Sequence, residues 1–458
     1  MTVRPASRAR AWVSRWRPIL PLFVAEFVLA VGFGALIPVL PLYVVAQGID
    51  MASLGVILAA WPAARLIFEP LFGWLADRTA RRPLMVAGLV LTAVVETLPL
   101  VFASGVALLA LRFAAGVTTA MYDPAARGYL VDSTEEDERG EAFGFFTAAQ
   151  MGGFLVGPAI GTLGATLVGG YAVPFLLAGA MSLVAAVYLA VVLPERPLRP
   201  GQASGPSLAP IAETSFAEYG ADSPEVAARW AAGLERDRHA AAAPRFQRQA
   251  PMRALLNRPF GAALAMNFGV YFTIGVYEVV WSLYMQRLGA SLALIGLAFA
   301  VFSLPVLVLA PFAGRLVDRV GGLAFAAVGG FVVAILGPVY ASATEPIFPT
   351  VMGAVEGSAH AFLGPAMFAI LAVGTPVGRS STAQGIFGAV GTVAFVVASS
   401  GAGILYGADW RYPFYAFGVV ALVAFGLGVA LARGRDRARV AADTESAPPI
   451  EEPPGALR

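Results

Sequence analysis

Apolar residues run along this chain in long unbroken blocks, not in the two-residue alternation of a strand or the striped face of a soluble helix. A helix rises about 1.5 Å per residue, so crossing the hydrocarbon of a bilayer takes about 20 mostly apolar residues. Twelve stretches reach that length, at about 18–46, 52–76, 83–103, 106–131, 140–167, 171–193, 260–287, 291–316, 321–343, 347–374, 380–406 and 411–432. They predict an all-α membrane protein with twelve transmembrane helices. Short turns join the blocks except at 194–259, which is rich in Pro, Ala and charge and holds no spanning stretch. Ser223-Pro224-Glu225 would suit the start of a short Ala-rich helix there, inside what otherwise reads as a solvated linker. The expected organisation is a short N-terminus (1–17), a six-helix half (18–193), the linker (194–259), a second six-helix half (260–432) and a charged, Pro-rich tail (433–458) expected to be disordered.

Composition agrees with lipid as the solvent. Of 458 residues, 58% are hydrophobic and only 13% charged, about half the charge a soluble surface carries. The basic Arg4–Arg17 segment precedes an apolar run too long for a signal peptide, so Ile19–Val45 reads as an uncleaved first span. A net charge of +2 gives no field for nucleic acid. The absence of cysteine excludes disulfides and thiol chemistry, and two histidines are too few for a His-rich metal site, so no metal and no cofactor are expected. Every basic residue is arginine, so no phosphate-binding G-x-x-x-x-G-K-[ST] loop exists. Arginines gather on one side of the predicted topology: the N-terminal cluster, Arg78, Arg81, Arg82, Arg139, the linker, Arg315, Arg319, Arg379 and the tail. The opposite side has little beyond Arg287 and Arg411. By the positive-inside rule both termini are expected in the cytoplasm, with the chain in a bacterial plasma (inner) membrane.

The two halves repeat. Pro70-Leu-Phe-Gly73-Trp-Leu75-Ala-Asp77-Arg78 returns as Pro311-Phe-Ala-Gly314-Arg-Leu316-Val-Asp318-Arg319, 241 residues on. The same offset carries Tyr43 onto Tyr284, Gly116 onto Gly357, Pro124 onto Pro365 and Gly144 onto Gly385. Two pseudo-symmetric halves of this kind place a substrate site at their interface near mid-membrane.

Gly73-Trp-Leu75-Ala-Asp77-Arg78-Thr-Ala-Arg81-Arg82 resembles the signature loop of the major facilitator superfamily between its second and third spans, with Ala80 in place of the usual second glycine. The resemblance implies a charge network that latches one state, with Asp132 at the end of span four as a further member. Leu111-Arg112-Phe-Ala-Ala-Gly116 resembles the family's intramembrane-arginine motif. Gly153-Phe-Leu-Val-Gly157-Pro158-Ala-Ile-Gly161 in span five resembles the Gly-Pro motif of drug:proton antiporters, whereas span eleven has Ala398 and Ser399 at the equivalent places. Phe33-Gly34-Ala-Leu-Ile-Pro38-Val-Leu-Pro41-Leu-Tyr43 resembles the first span of the same exporters. Pro158 removes one helix hydrogen bond and the glycines allow close packing, which we expect against the opposite half.

Ionisable groups inside a membrane are costly and mark function. The resemblance implies that spans one, four, seven and ten line the cavity, and each carries such groups. Span one has Glu26; span four has Arg112, Thr119 and Asp123 on one stripe; span seven has Asn267, Tyr271 and Glu278; span ten has Glu356 and His360 a turn apart. Outer helices carry almost none, Glu96 excepted. Glu26 is expected about 12 Å above the arginine-rich end of its helix, and Arg112 about 9 Å from the other end. Glu26 is the expected proton carrier, with Glu356 and Asp123 next. A static pair of Asp123 with Arg127, and of Arg65 with Glu69, are the structural alternatives. His360 reads as a pH sensor or as a packing residue. Phe33, Tyr43, Tyr122, Trp281 and Met367 could line an apolar pocket.

The expected function is secondary active transport: proton-coupled efflux of small hydrophobic or cationic compounds by alternating access, driven by the proton gradient, by a monomer in the lipid bilayer. A sugar or metabolite facilitator of the same fold, and a non-transporting receptor or scaffold, are the alternatives. No hydrolase arrangement is present in the spans, so no enzyme activity is expected.

Overall fold

Among the described residues, twelve helices long and apolar enough to cross a membrane stand where the twelve apolar blocks predict them. The computed structural model describes residues 16–134, 139–195, 251–376 and 379–445. Span one is Leu20–Leu36 and Leu40–Ala46, interrupted at Pro38, whose missing N–H and that of Pro41 break the ladder. Spans two to six are Met51–Ala76, Arg81–Thr97 (prolonged by a 3₁₀ turn, Leu98–Leu100), Gly105–Ser133, Arg139–Val168 and Ala172–Val192. Spans seven to twelve are Arg258–Arg287, Leu292–Val320, Gly322–Ala341, Ile347–Gly374, Ser380–Ala408 and Tyr412–Glu445. The last helix therefore runs past the expected end at 432 into the segment expected to be disordered. Its continuation, rich in Ala and Arg, has good helix propensity and carries the helix on where apolarity stops. Most of the linker, with Ser223–Glu225, lies outside the described residues.

The 241-residue repeat holds at the level of single contacts. The Tyr43 hydroxyl donates to the Pro99 carbonyl and the Tyr284 hydroxyl to the Tyr340 carbonyl, each bond linking partners 56 residues apart. Asp50 and Ser291 cap spans two and eight through the same N–H, three residues on. Gly48 and Gly289 turn the chain before those caps with φ of 77° and 89°, a conformation that glycine adopts without cost. Gly116 lies on the Trp61 carbonyl as Gly357 lies on that of Phe302.

The halves join chiefly through spans two with eleven and eight with five. Gly55 packs on the Ser399 and Gly403 backbone, and Gly296 on Pro158 and Thr162, again 241 residues apart. At the end of the molecule away from the linker, one apolar core includes both halves, with Leu40, Val44 and Leu54 beside Val280, Tyr284 and Ile295. At the linker end there are two separate cores, one around Trp16, Met85 and Leu130, the other around Met266, Ala366 and Phe425. The halves are thus sealed at the far end and apart at the linker end. Large apolar side chains such as Ile67, Leu167, Val191 and Val419 stand exposed on the outer helix faces, where lipid would cover them.

Candidate functional site

Inside the N-terminal half lies a cavity of about 70 Å³, walled by residues of spans one to six. Sequence reasoning placed the site between the halves, but the wall residues of this cavity all belong to one half. Glu26, 2% exposed, sits at its linker end. Its carboxylate accepts from the Tyr122 hydroxyl at 2.9 Å and from the Gln150 amide at 2.7 Å. Glu26, the only carboxylate of span one, is therefore held by neutral partners from spans four and five. Gln150 has no signal in one sequence, because an amide in a helix reads as neutral until its partner is known.

Beside it, the Arg65 guanidinium lies 2.5 Å from Asp123 and also holds Glu69. The i,i+4 pair of the sequence is real, but Arg65 also reaches span four and lines the cavity. Asp123 is paired with Arg65, not with Arg127 one turn along its own helix. Trp61 stands above Arg65, its ring 4.7 Å from that guanidinium. It packs on Phe33 at 5.1 Å and donates from its indole N–H to Thr119 at 3.4 Å. The predicted stripe Arg112–Thr119–Asp123 thus meets a matching face of span two. Phe33 and Tyr122 line the cavity as proposed for an apolar pocket, while Tyr43, Trp281 and Met367 lie in the cores.

Towards the far end, Arg112 is 5% exposed and lies 3.8 Å from Glu278 of the opposite half. Asn267, grouped with Glu278 on the sequence, instead donates to the Phe387 carbonyl of span eleven. Glu356, 1% exposed, accepts from Tyr277 at 2.9 Å and Tyr340 at 2.8 Å, deep in the C-terminal half. His360 Nδ1 is 3.1 Å from the Glu356 backbone carbonyl and its ring packs on Phe302. These two residues are apart from the cavity that Glu26 lines.

On the linker side Arg81 bridges Asp77 at 3.4 Å and Asp132 at 2.9 Å, the network that the loop motif implies. Burial pushes the Asp77 carboxyl above the usual range, and Arg81 opposes that shift. Arg78 lies over Trp74 at 4.0 Å, and Arg82 donates to the Ala190 carbonyl. Gly73 has room for a Cβ against Pro124; the glycine that matters here is Gly128, whose missing side chain admits the Arg81 guanidinium. In the second half Gly314 is half-buried and Arg319 exposed, and the Asp318 side chain lies outside the described residues.

The span-five glycines give a correction. A Cβ at Gly153 would meet Phe27 O at 2.7 Å, and one at Gly157 would meet Val31 O at 2.6 Å; Gly161 sits on Ala35 in the same way. All three face span one of their own half, not the opposite half. Gly34 receives Pro158 and Gly157, and Gly275, its counterpart 241 residues on, receives Phe395 and Ala398. The helix runs unbroken through Pro158, and the cross-half contact with Gly296 is made by the Pro158 carbonyl and, one turn later, by Thr162.

The family model described as Major Facilitator Superfamily matches residues 22–277 and 263–454. Quinolone resistance protein NorA of Staphylococcus aureus is 29% identical over 177 residues, 39% of this chain and 45% of that protein. Multidrug resistance protein 2 of Bacillus subtilis is 33% identical over 172 residues, 37% of this chain and 42% of that protein. The matched stretch thus spans less than half the length of either relative. The fold is that of the human organic anion transporter MFSD10 (TETRAN), at TM-score 0.61 and 18% identity over 90% of this chain and 99% of that one. A bacterial homologue of the human lysosomal transporter Spinster, in an inward-facing and unoccupied conformation, superimposes at TM-score 0.64 and 15% identity over 94% and 98%.

Proposed function

Because this chain belongs to the major facilitator superfamily, whose members carry small molecules across membranes, we propose that it is a proton-coupled exporter of small hydrophobic or cationic compounds. It sits in a bacterial plasma membrane with both termini and the linker in the cytoplasm, since its arginines lie on that side. The two halves rock about the contacts of spans two with eleven and eight with five. The conformation described is the one open to the cytoplasm.

The observation that carries the reading is Glu26. A carboxyl withdrawn from water, facing a cavity lined by Phe33 and Trp61 and held by Tyr122 and Gln150, can exchange a proton as its surroundings change between states. In this cycle Glu26 gives up its proton to the cytoplasm when a cationic or apolar compound enters, and regains one from outside after release. The partial similarity to a quinolone resistance protein and a multidrug resistance protein supports export of drug-like compounds.

The test is transport in proteoliposomes under an imposed pH gradient, with tetraphenylphosphonium as a cationic probe and glucose as a neutral one. Gradient-driven movement of the cation alone is expected. Movement of glucose independent of pH would replace this reading with that of a facilitator.

A further inference from the structure

Glu96 is a second buried carboxylate of the N-terminal half. It stands on span three, an outer helix of the repeat, yet it is only 5% exposed. It has no hydrogen-bond partner among the described residues, and it borders two cavities. One is the column that reaches Glu26; the other is a smaller space of about 10 Å³ beside Arg112, closed by Leu40, Val44 and Phe175 of the far-end core. The Arg112 guanidinium is the charge that faces Glu96, and a carboxyl buried this deeply is expensive and marks function.

The positions form a line. Glu96 is one turn from the end of its helix on the far side, and Glu26 is six residues from the linker end of span one, so the column joins opposite ends of the half. Thr92, one turn below Glu96, donates to Thr118, and Thr119 and Tyr122 continue the polar wall down span four to Glu26. A water needs about 10–15 Å³ of such space, so about 70 Å³ admits roughly five and the smaller space about one. Span four presents Arg112 to Glu96, and span six presents the Ser182 hydroxyl to the column. Behind Arg112 stands Glu278 of span seven. Around Glu26 the facing groups are Tyr122, Asp123 and Arg127 from span four and Gln150 from span five.

We infer that Glu96 is a proton relay, taking protons from the far side of the membrane and passing them down the column inside the N-terminal half to Glu26. At each step one O–H bond breaks as another forms: a hydronium ion on the far side gives its proton to the Glu96 carboxylate and becomes water, Glu96 passes the proton to a column water, and that hydronium gives it to a Glu26 oxygen and is water again. The substrate can then occupy the space between the halves while the proton travels within one of them. The inference rests on the reading of Glu26 as the proton carrier.

Time-resolved infrared spectroscopy on oriented proteoliposomes without substrate tests it, with the pH stepped down on one side at a time. Glu26→Gln should remove one protonated-carboxyl band. In Glu96→Gln that band should reach its full amplitude, but after a far-side step it should rise more slowly by about tenfold or more. After a linker-side step it should rise at the wild-type rate. Glu96→Asp should recover most of the far-side rate. A merely structural role for Glu96 would slow both sides or lower the amplitude, and would overturn the relay; so would a wild-type far-side rate in Glu96→Gln. If Glu26→Gln removes no band, the reading of Glu26 fails, and the relay with it. If the band is lost but Glu96→Gln is indifferent, the relay alone fails.

Discussion

Arg112 of span four and Glu278 of span seven form an ion pair at 3.8 Å that joins the two halves just beneath the core sealing the far end. Each side chain is largely shielded from water, at 6% and 16% exposure, so separation leaves a buried charge without its partner. Losing one member of such a pair costs about 3–5 kcal/mol. The pair is therefore expected to help hold the far end closed.

Glu278→Gln should weaken that closure and raise the population open to the far side. The chain has no cysteine, so a single Val44→Cys in the far-end core is a clean reporter. Labelling by a membrane-impermeant maleimide added on the far side should speed up in the Glu278→Gln background by about tenfold or more, since 1.4 kcal/mol is a factor of ten in population. Unchanged labelling would show that the apolar core alone closes this end.

Glu26→Gln should fold, because an amide can still accept one hydrogen bond and packs as the carboxylate does. It should lose gradient-driven transport while retaining exchange of probe for probe, which needs no net proton movement. Gln150→Leu is the companion: it removes one donor to Glu26 and should move the pH dependence of transport without abolishing it. Gradient-driven efflux at the wild-type rate in Glu26→Gln would take this carboxyl out of the mechanism.

Much of this fold can be read from one sequence because membrane helices obey few rules. Length and apolarity give twelve spans, and a repeat at one offset pairs Tyr43 with Tyr284 and Gly116 with Gly357, as their contacts do. The site is less legible for a physical reason. Periodicity says which face a residue occupies but not which neighbour it meets. So Asn267 and Glu278 share a stripe and diverge to spans eleven and four, and the span-five glycines turn to span one. Partners are also hidden when they are neutral. Gln150, Tyr277 and Tyr340 complete the two buried carboxylate sites, yet polar helix residues of this kind carry no mark in the pattern.

On the linker side, Gly128 and Asp77 should prove to be parts of one device. A Cβ at Gly128 would occupy the place of the Arg81 guanidinium, which bridges Asp77 and Asp132. Gly128→Ala and Asp77→Asn should both slow interconversion of the two states several-fold while leaving the affinity for the cationic probe unchanged. The double variant should be no worse than the poorer single one, as expected for residues that share a network. Additive losses, or a fall in affinity, would separate the two.

The span-five motif should act through span one. Gly157 lies against Val31 and Gly34, one turn and a half above Glu26, so a larger side chain there must push span one aside and with it the Glu26 carboxylate. Gly157→Leu overpacks a backbone contact and should cost about 1–3 kcal/mol or more, with loss of most gradient-driven transport. Pro158→Ala restores a helix N–H that finds its carbonyl partner within the same helix, and it keeps the contact with Gly34 small; a milder loss is expected. Ala398→Leu is the matched change in span eleven, where Gly275 stands in for Gly34. It has no carboxyl comparable to Glu26 at the equivalent place, since Asn267 occupies that position and donates to the Phe387 carbonyl. It should therefore lower stability to a similar degree while leaving the pH dependence of transport intact. Thr162→Leu completes the comparison: it strikes Gly296 across the halves, so it should slow interconversion between states without moving that pH dependence. Thermal stability, transport rate and pH profile for the four variants check the argument. A shifted pH profile in Thr162→Leu or Ala398→Leu, or an unshifted one in Gly157→Leu with transport retained, would mean that span five does not govern the proton site.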